Sequence, residues 1–212
     1  MKIAIVGATG MVGRVMVQML AQSALSVTEL IPVASEKSLG KTVEFRGNTY
    51  KTVTLDTALS MHPDIALFSA GATISRQYAP LFAKQKCYVI DNSSAWRMDT
   101  HIPLLIPEIN AHSLQKAQYI IANPNCSTIQ LLMAVAPLHQ AFGIERMVIS
   151  TYQSVSGSGA KAVQQLETER AGQIAQEMAY PYPIDMNVLP HGGDFLPNAY
   201  TTEEMKLVHE SR

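Results

Sequence analysis

Lys2-Ile3-Ala4-Ile5-Val6-Gly7-Ala8-Thr9-Gly10-Met11-Val12-Gly13 is the stretch that decides the architecture. Lys2–Val6 is a short apolar, β-branched run, which predicts a buried strand. Gly7, Gly10 and Gly13 follow at G-x-x-G-x-x-G spacing, and behind them Val12, Val15, Met16, Met19 and Leu20 recur at helical spacing. Strand, glycine turn and helix in that order bring backbone N–H groups against a pyrophosphate, at a helix N-terminus carrying positive partial charge. Three glycines alone mean little; their place between a strand and an amphipathic helix gives them weight. The competing reading is a structural turn that allows close helix–strand packing.

Outward from that turn, Val27–Ala34 reads as a second strand and Asp64–Ser69 as a third, closed by Ala70-Gly71. Ser75–Lys86 predicts a helix and Tyr88–Asp91 another strand. Strands alternating with helices imply an α/β fold: a Rossmann-like parallel sheet with helices on both faces. From residue 100, Pro103, Pro107 and Pro124 punctuate a loop-rich stretch that holds one more strand, Tyr119–Ala122. Ser127–Ala141 predicts a helix, kinked near its end or beginning to unwind at Pro137. Arg146–Ser154 reads as a strand and Ala160–Met178 as a long helix rich in Gln, Glu and Ala. After a proline-containing loop, Thr201 and Glu204 stand at capping-box spacing before a final helix. The parallel pattern gives out near residue 127. The expected domains are therefore 1–127, binding a dinucleotide, and 128–212, the start of a mixed α/β domain.

The chain has 212 residues, 47% hydrophobic and 16% charged, which reads as globular. A net charge of −1 gives no electrostatic reason to expect nucleic acid or a membrane surface. No apolar stretch is long enough to span a bilayer, and the N-terminal apolar run is too short for a signal peptide. Two cysteines, one in a reactive context, suggest a reducing compartment, and the cytoplasm is the expectation. No metal is expected.

The end of the second strand selects between NAD and NADP. Here it reads Val33-Ala34-Ser35-Glu36-Lys37-Ser38, with Lys41 close by. Small and hydroxyl residues beside lysines suit a 2′-phosphate, so NADP is favoured. Glu36 could instead take the acidic, NAD-selecting role if the strand ran one or two residues further.

Cys126 lies in Asn123-Pro124-Asn125-Cys126-Ser127-Thr128, just before an apolar helical run. A thiol at a helix N-terminus has its thiolate stabilised by unpaired N–H groups and the helix dipole. The same donors could steady the oxyanion of a hemithioacetal. A buried structural cysteine is the commoner fate of a free thiol. Cys87, beside the apolar run Tyr88-Val89-Ile90, fits that description, whereas Cys126 sits among turn formers and hydroxyls.

Taken together, these segments resemble aspartate-semialdehyde dehydrogenases. The resemblance is carried by the glycine turn Gly7–Gly13, Ser69-Ala70-Gly71, Asp91-Asn92-Ser93-Ser94 and Asn125-Cys126-Ser127-Thr128. It continues through Thr151-Tyr152-Gln153, Ser156-Gly157-Ser158-Gly159 and Thr202-Glu203-Glu204-Met205-Lys206. It implies reversible, NADPH-dependent reduction of aspartyl phosphate to aspartate semialdehyde with release of phosphate, in the biosynthesis of lysine, threonine and methionine. By the same resemblance Cys126 is the nucleophile and Gln153 orients substrate. Arg97 and Lys206 hold phosphate, and Glu203 holds the substrate amino group. Thr9, Gly10, Met11, Val12, Lys37, Ser38, Ser156 and Gly157 bind the cofactor. It also implies that 128–212 is the catalytic and dimer-forming domain of a homodimer. Members of that family are longer and carry a general-base histidine in a Gly-His-Ser-like motif, with a substrate-binding arginine. None of the six histidines here stands in such a motif, and His191 in Pro190-His191-Gly192 is assigned no role. On that ground the 212 residues alone are expected to be inactive. Two other readings stand beside this one. One is a truncated, non-catalytic dinucleotide-binding module. The other is a related acyl-phosphate reductase, such as N-acetyl-γ-glutamyl-phosphate reductase, though those place a glycine where this chain has Asn125.

Overall fold

The structure, a computed structural model, describes residues 1–190 and 192–211. His191 therefore lies outside the described residues. The described residues form two compact units, Met1–Phe142 with residues 206–211, and residues 143–205 without 191.

In the first unit, β1 (Lys2–Val6) pairs in parallel with β2 (Glu29–Val33) on one side and β5 (Ile65–Phe68) on the other. β6 (Tyr88–Asp91) and β7 (Ile120–Ala122) extend the sheet, giving the order β2-β1-β5-β6-β7. β1 is buried on both faces, which is why it reads as an unbroken apolar run. Its side chains alternate between two cores. Ile3 and Ile5 join Val17, Leu20, Leu30 and Phe45 under α1 (Met11–Gln22). Ala4 and Val6 join Phe68, Ala79, Phe82 and Val89 under α3 (Ala72–Lys84). The Phe68 and Phe82 rings meet edge to face with centroids 5.6 Å apart. Helices thus cover both faces, as the alternation of strands and helices implies.

The register positions everything that follows. Val33, Val6, Phe68, Asp91 and Ala122 are successive cross-strand partners, so five strands end in one row. The loops that follow them begin side by side along the carboxyl edge.

Several elements differ from the sequence reading. On α1 the buried residues are Gly13, Val17 and Leu20, while Val12, Val15 and Met19 are exposed. The helix is apolar on more than one face, and close packing at Gly13 selects which face turns inward. A hairpin, β3 (Thr42–Phe45) and β4 (Asn48–Lys51), went unread. Its two-residue turn, Arg46-Gly47, has both φ angles positive (49° and 79°), as a tight hairpin requires, but an arginine is an unusual first residue there. Arg46 is held there because its guanidinium donates to the carbonyls of Leu20, Ala21, Ser23 and Leu25 at the C-terminus of α1. α2 (Leu55–Ser60) also went unread, although Thr54 caps it through the Thr57 N–H. α5 runs Cys126–Phe142 and accommodates Pro137 without ending there. The short α4 (Pro107–Asn110) precedes β7.

In the second unit, residues 146–154 form no strand. An extended segment becomes a strand only against a partner that takes its backbone hydrogen bonds. Among the described residues none pairs with it, and Val148 and Tyr152 are 82% and 87% exposed. α6 spans Ala160–Arg170 and stops well short of Met178. Gly172, at φ 73°, and Gln173 turn their N–H groups back onto the carbonyls of Glu169 and Thr168, a glycine stop that the Gln/Glu/Ala pattern masks. The next segment is pegged by two α6 side chains one turn apart. Gln165 accepts from the N–H groups of Ala179 and Tyr180, and Glu169 from those of Ile184 and Asp185. α7 spans Thr202–Glu210, and the capping box is formed: the Glu204 carboxylate accepts the Thr201 N–H, and the Thr201 hydroxyl accepts the Glu204 N–H. The Thr201 N–H and then its hydroxyl hold the Glu204 carboxyl below its ordinary range.

Candidate active site

The glycine turn leaves β1 at the carboxyl edge, beside the point where the chain, having gone outward to β2, returns to β5. Ligands of open parallel sheets bind at such a switch point. Gly7 has φ 91°, and a Cβ there would lie 2.5 Å from the Ser69 carbonyl oxygen. A Cβ on Gly13 would lie 2.1 Å from the Gly7 oxygen. The N–H groups of Gly7 and Ala8 both donate to the Val33 carbonyl, which ties the turn to β2. Gly10 is the N-cap of α1 without a side-chain cap, the first turn carries no acidic residue, and Gly10, Met11 and Val12 are exposed. Open N–H groups at an uncapped helix start, with no carboxylate nearby in sequence, fit a pyrophosphate. At the β2 end, residues Glu36–Ser38 form a single 3-10 turn, with Lys37 exposed and Ser38 half-buried. Glu36 is exposed on the same turn. A separate cleft of about 470 Å³ lies between α1 and β3, lined by Thr9, Arg14, Val17, Lys41 and Glu44 among others. It shares Thr9 with the turn but contains neither Cys126 nor Arg97.

The loop after β6 is built on a buried carboxylate. Asp91 accepts from the hydroxyls of Ser75 and Ser93 (2.7 Å each) and from the Ser93 N–H (3.0 Å). The Trp96 indole N–H donates to the Ser75 hydroxyl at 2.8 Å. This network fixes the segment that carries Arg97. The Arg97 side chain turns inward, with the residue only 9% exposed. Nε donates to the Asn123 carbonyl and Nη2 to the Asn92 carbonyl, each at 2.9 Å. Nη1 pairs with Glu210 Oε1 at 3.1 Å. Among the described residues, three of the five guanidinium N–H groups are thereby committed. The Asn123 side-chain amide in turn donates to the Asn92 side chain.

The loop after β7 delivers Cys126. Asn125 caps α5: its Oδ1 accepts the Ser127 N–H at 3.0 Å and its carbonyl accepts the Ile129 N–H at 2.9 Å. Cys126 is the first residue of this 17-residue helix and is exposed, with Pro124 and Asn125 buried beneath it. Cys87 is the opposite case. It is 1% exposed, and burial first, with Asp64 second, pushes its thiol up to about 12. The structure thus separates an accessible thiol at a helix N-terminus from an inert one in the core.

The first unit therefore brings the glycine turn, the Lys37-Ser38 turn, Arg97 and Cys126 to one edge of one sheet, with Lys206, half-buried on α7, in the same unit. Gln153, Ser156, Gly157 and Glu203 belong to the second unit. There Val155–Ser158 forms a 3-10 turn, and Gln153 lies so close to Gly157 that a Cβ at that glycine would meet its Nε2 at 2.1 Å. The sequence reading missed Glu210, and it quoted Asp91 and Asn92 only as part of a motif.

Among the described residues, no group of three or more His, Cys, Asp or Glu is placed to hold a metal, and no helix is long and apolar enough to cross a membrane.

A Rossmann-like sheet with a glycine turn at its switch point, and an exposed cysteine heading a helix on the same edge, defines a dinucleotide-binding fold with an accessible thiol. The profile of the semialdehyde dehydrogenase NAD binding domain matches residues 2–117, and that of the semialdehyde dehydrogenase dimerisation domain matches 135–212. The aspartate-semialdehyde dehydrogenase of Aquifex aeolicus is 45% identical over all of this chain and 64% of its own length. That of Vibrio mimicus is 43% identical over 99% of the chain and 68% of its own length. A crystal structure of aspartate semialdehyde dehydrogenase II from Vibrio cholerae complexed with ASA superposes with a TM-score of 0.91 at 41% identity, covering 99% of this chain and 64% of that one. The chain belongs to the aspartate-semialdehyde dehydrogenase family, and it spans a little under two thirds of the length of most of these relatives.

Proposed function

We propose that the protein of which these residues are part is an NADP-dependent aspartate-semialdehyde dehydrogenase. It converts L-aspartyl 4-phosphate to L-aspartate 4-semialdehyde and phosphate, reversibly, in the biosynthesis of lysine, threonine and methionine. The observation that carries this reading is the placement of Cys126, exposed at the first position of α5 on the same sheet edge as the glycine turn.

The Cys126 thiolate attacks the acyl carbon, the carbon–oxygen bond to phosphate breaks, and a thioester forms as phosphate leaves. When bound, NADPH would supply a hydride to the acyl carbon; the carbon–sulfur bond then breaks, the aldehyde is released and Cys126 is regenerated as the thiolate. The positive N-terminal end of α5 favours the oxygen that gathers charge in both steps. Arg97 offers its guanidinium to the phosphate group, and Lys206 adds a second positive charge. Gln153 orients the acyl group and Glu203 holds the substrate ammonium. Thr9, Gly10, Met11 and Val12 cradle the pyrophosphate; Lys37 and Ser38 take the 2′-phosphate that distinguishes NADP; Ser156 and Gly157 complete the cofactor site. Residues 1–127 act as the cofactor-binding part and 128–212 as part of the catalytic and dimerisation domain. The match of residues 135–212 to a dimerisation-domain profile supports a homodimer. Chemistry through a free thiolate calls for a reducing compartment such as the cytoplasm.

The test is reduction of NADP by the complete protein with aspartate semialdehyde and phosphate. Phosphate-dependent turnover with NADP well above NAD is expected. Turnover only with N-acetylglutamate semialdehyde would move the assignment to the related reductase, and cofactor binding without turnover on either aldehyde would leave a dinucleotide-binding module.

A further inference from the structure

Glu210 has no task in the reading above, and its position is an unfavourable one for a carboxylate. It lies on α7 and is only 6% exposed, where an unpaired charge is costly. Its partners explain its presence. Oε1 accepts from Nη1 of Arg97 at 3.1 Å, and Oε2 accepts from the backbone N–H of Asn125 at 2.6 Å. Asn125 is the residue that caps α5 and immediately precedes Cys126. The two oxygens of one carboxylate therefore reach the two loops that follow neighbouring strands β6 and β7.

We infer that Glu210 is a positioning residue: by bridging Arg97 to the Asn125 turn it holds the phosphate-binding guanidinium and the nucleophile at a fixed spacing. This rests on the roles proposed above for Arg97 and Cys126. Each of the two carboxylate oxygens accepts one of the two donors. A glutamine has one acceptor oxygen and an NH2 group, which would face either the guanidinium or the Asn125 N–H donor to donor. An aspartate keeps the charge but withdraws it by one methylene. The Asn92 and Asn123 carbonyls hold Arg97 at Nη2 and Nε, so losing the bridge leaves the guanidinium anchored at two points with its Nη1 end no longer tied to the Asn125 turn.

The experiment compares the complete wild-type protein with Glu210→Gln and Glu210→Asp. Phosphate KM, kcat, NADP affinity and the iodoacetamide alkylation rate of Cys126 without substrates are measured for each. In Glu210→Gln the phosphate KM is expected to rise and kcat to fall, each roughly tenfold, while NADP affinity is unchanged. The alkylation rate is expected to change by roughly threefold or more, because the turn presenting the thiol is released. Glu210→Asp is expected to recover part of each loss. A folded Glu210→Gln protein with wild-type phosphate KM and wild-type alkylation rate overturns the bridge. Should neither variant fold, hydrogen exchange in the wild-type protein decides: the Asn125 amide is expected among the slowest, and rapid exchange overturns the inference. A wild-type protein without turnover on aspartate semialdehyde would instead remove the proposed function, and the alkylation rates would then judge the bridge by themselves.

Discussion

Replacing Gly13 by alanine tests the packing that holds the dinucleotide turn. Gly13 needs no unusual backbone angle, so the effect is a matter of space alone. The added methyl would lie 2.1 Å from the Gly7 oxygen, 2.7 Å from the Gly7 carbonyl carbon and 2.8 Å from Ala8 Cα. All three are backbone atoms of a turn pinned by two hydrogen bonds to Val33, so the helix must move instead. Reaching ordinary contact at 3.4 Å requires a retreat of about 1.3 Å, which lifts Val17 and Leu20 from Ile3 and Ile5. Overpacking of this kind costs about 1–3 kcal/mol, against which alanine's helix propensity returns up to about 1 kcal/mol. The net loss of up to about 2 kcal/mol corresponds to a fall in Tm of up to roughly 8 °C for a chain of this size. The retreat also draws the first-turn N–H groups away from the pyrophosphate, and a roughly tenfold or greater rise in the Kd for NADP is expected, about 1.4 kcal/mol. Gly10→Ala is the stability control, since its methyl meets only the Gly7 oxygen, at 3.3 Å. Circular dichroism melts and NADPH fluorescence titration of the complete protein provide the assay. A Gly13→Ala variant that melts and binds NADP like the wild type would refute the reasoning.

Cys87 keeps its proton to about pH 12 in the folded chain but loses it near 9.0 when unfolded, so its contribution to stability is present below pH 9.0 and is lost as the pH rises toward 12. Stability should fall more steeply above pH 9.0 in the wild type than in Cys87→Ala; at pH 8 iodoacetamide should label Cys126 alone, and equal labelling of both thiols would contradict the assignment. The Gln165 amide first, then the Asp185 N–H, lower the Glu169 carboxyl below its ordinary value of 4.5. The peg it forms is thus present above pH 4.5 and lost as the pH falls through the lowered value, read as hydrogen exchange at Ile184 and Asp185. Gln165→Ala strips the acceptor from the Ala179 and Tyr180 amides and should cost about 2 kcal/mol or more, with faster exchange at both; unchanged exchange would count against the peg. Lys37→Ala should raise the KM for NADP roughly tenfold and leave that for NAD alone, and equal changes would remove Lys37 from the 2′-phosphate.

What the sequence showed was mostly what short-range physics decides. The β1 run, the three glycines and the Asn125-Cys126 turn each carry their meaning within a dozen residues, and all three stand where they were expected. Elements whose reasons lie elsewhere in the chain were not legible. Arg46 looks wrong for a hairpin until the end of α1 is beside it, because four carbonyls of residues 20–25 hold it there. Periodicity on α1 named an apolar set but not the inward face, since the choice is made by the contact of Gly13 with Gly7. The long helix expected to Met178 stops at Arg170 because a single glycine outweighs favourable composition on either side. Arg97 was visible as a cation with the right motif around it. That it is buried and shares a carboxylate with the Asn125 amide depends on a residue more than a hundred positions away.

Everything proposed here turns on a covalent bond to one sulfur. The most direct measurement mixes the complete protein with aspartate semialdehyde and NADP, withholding phosphate so that the thioester has no acceptor, followed by acid quench and peptide mass spectrometry. Hydride leaves for NADP, NADPH appears in one stoichiometric burst, and the Cys126 peptide gains a single aspartyl group that disappears once phosphate is added. A burst without a modified Cys126 peptide, or an adduct on Cys87 in its place, would contradict the account.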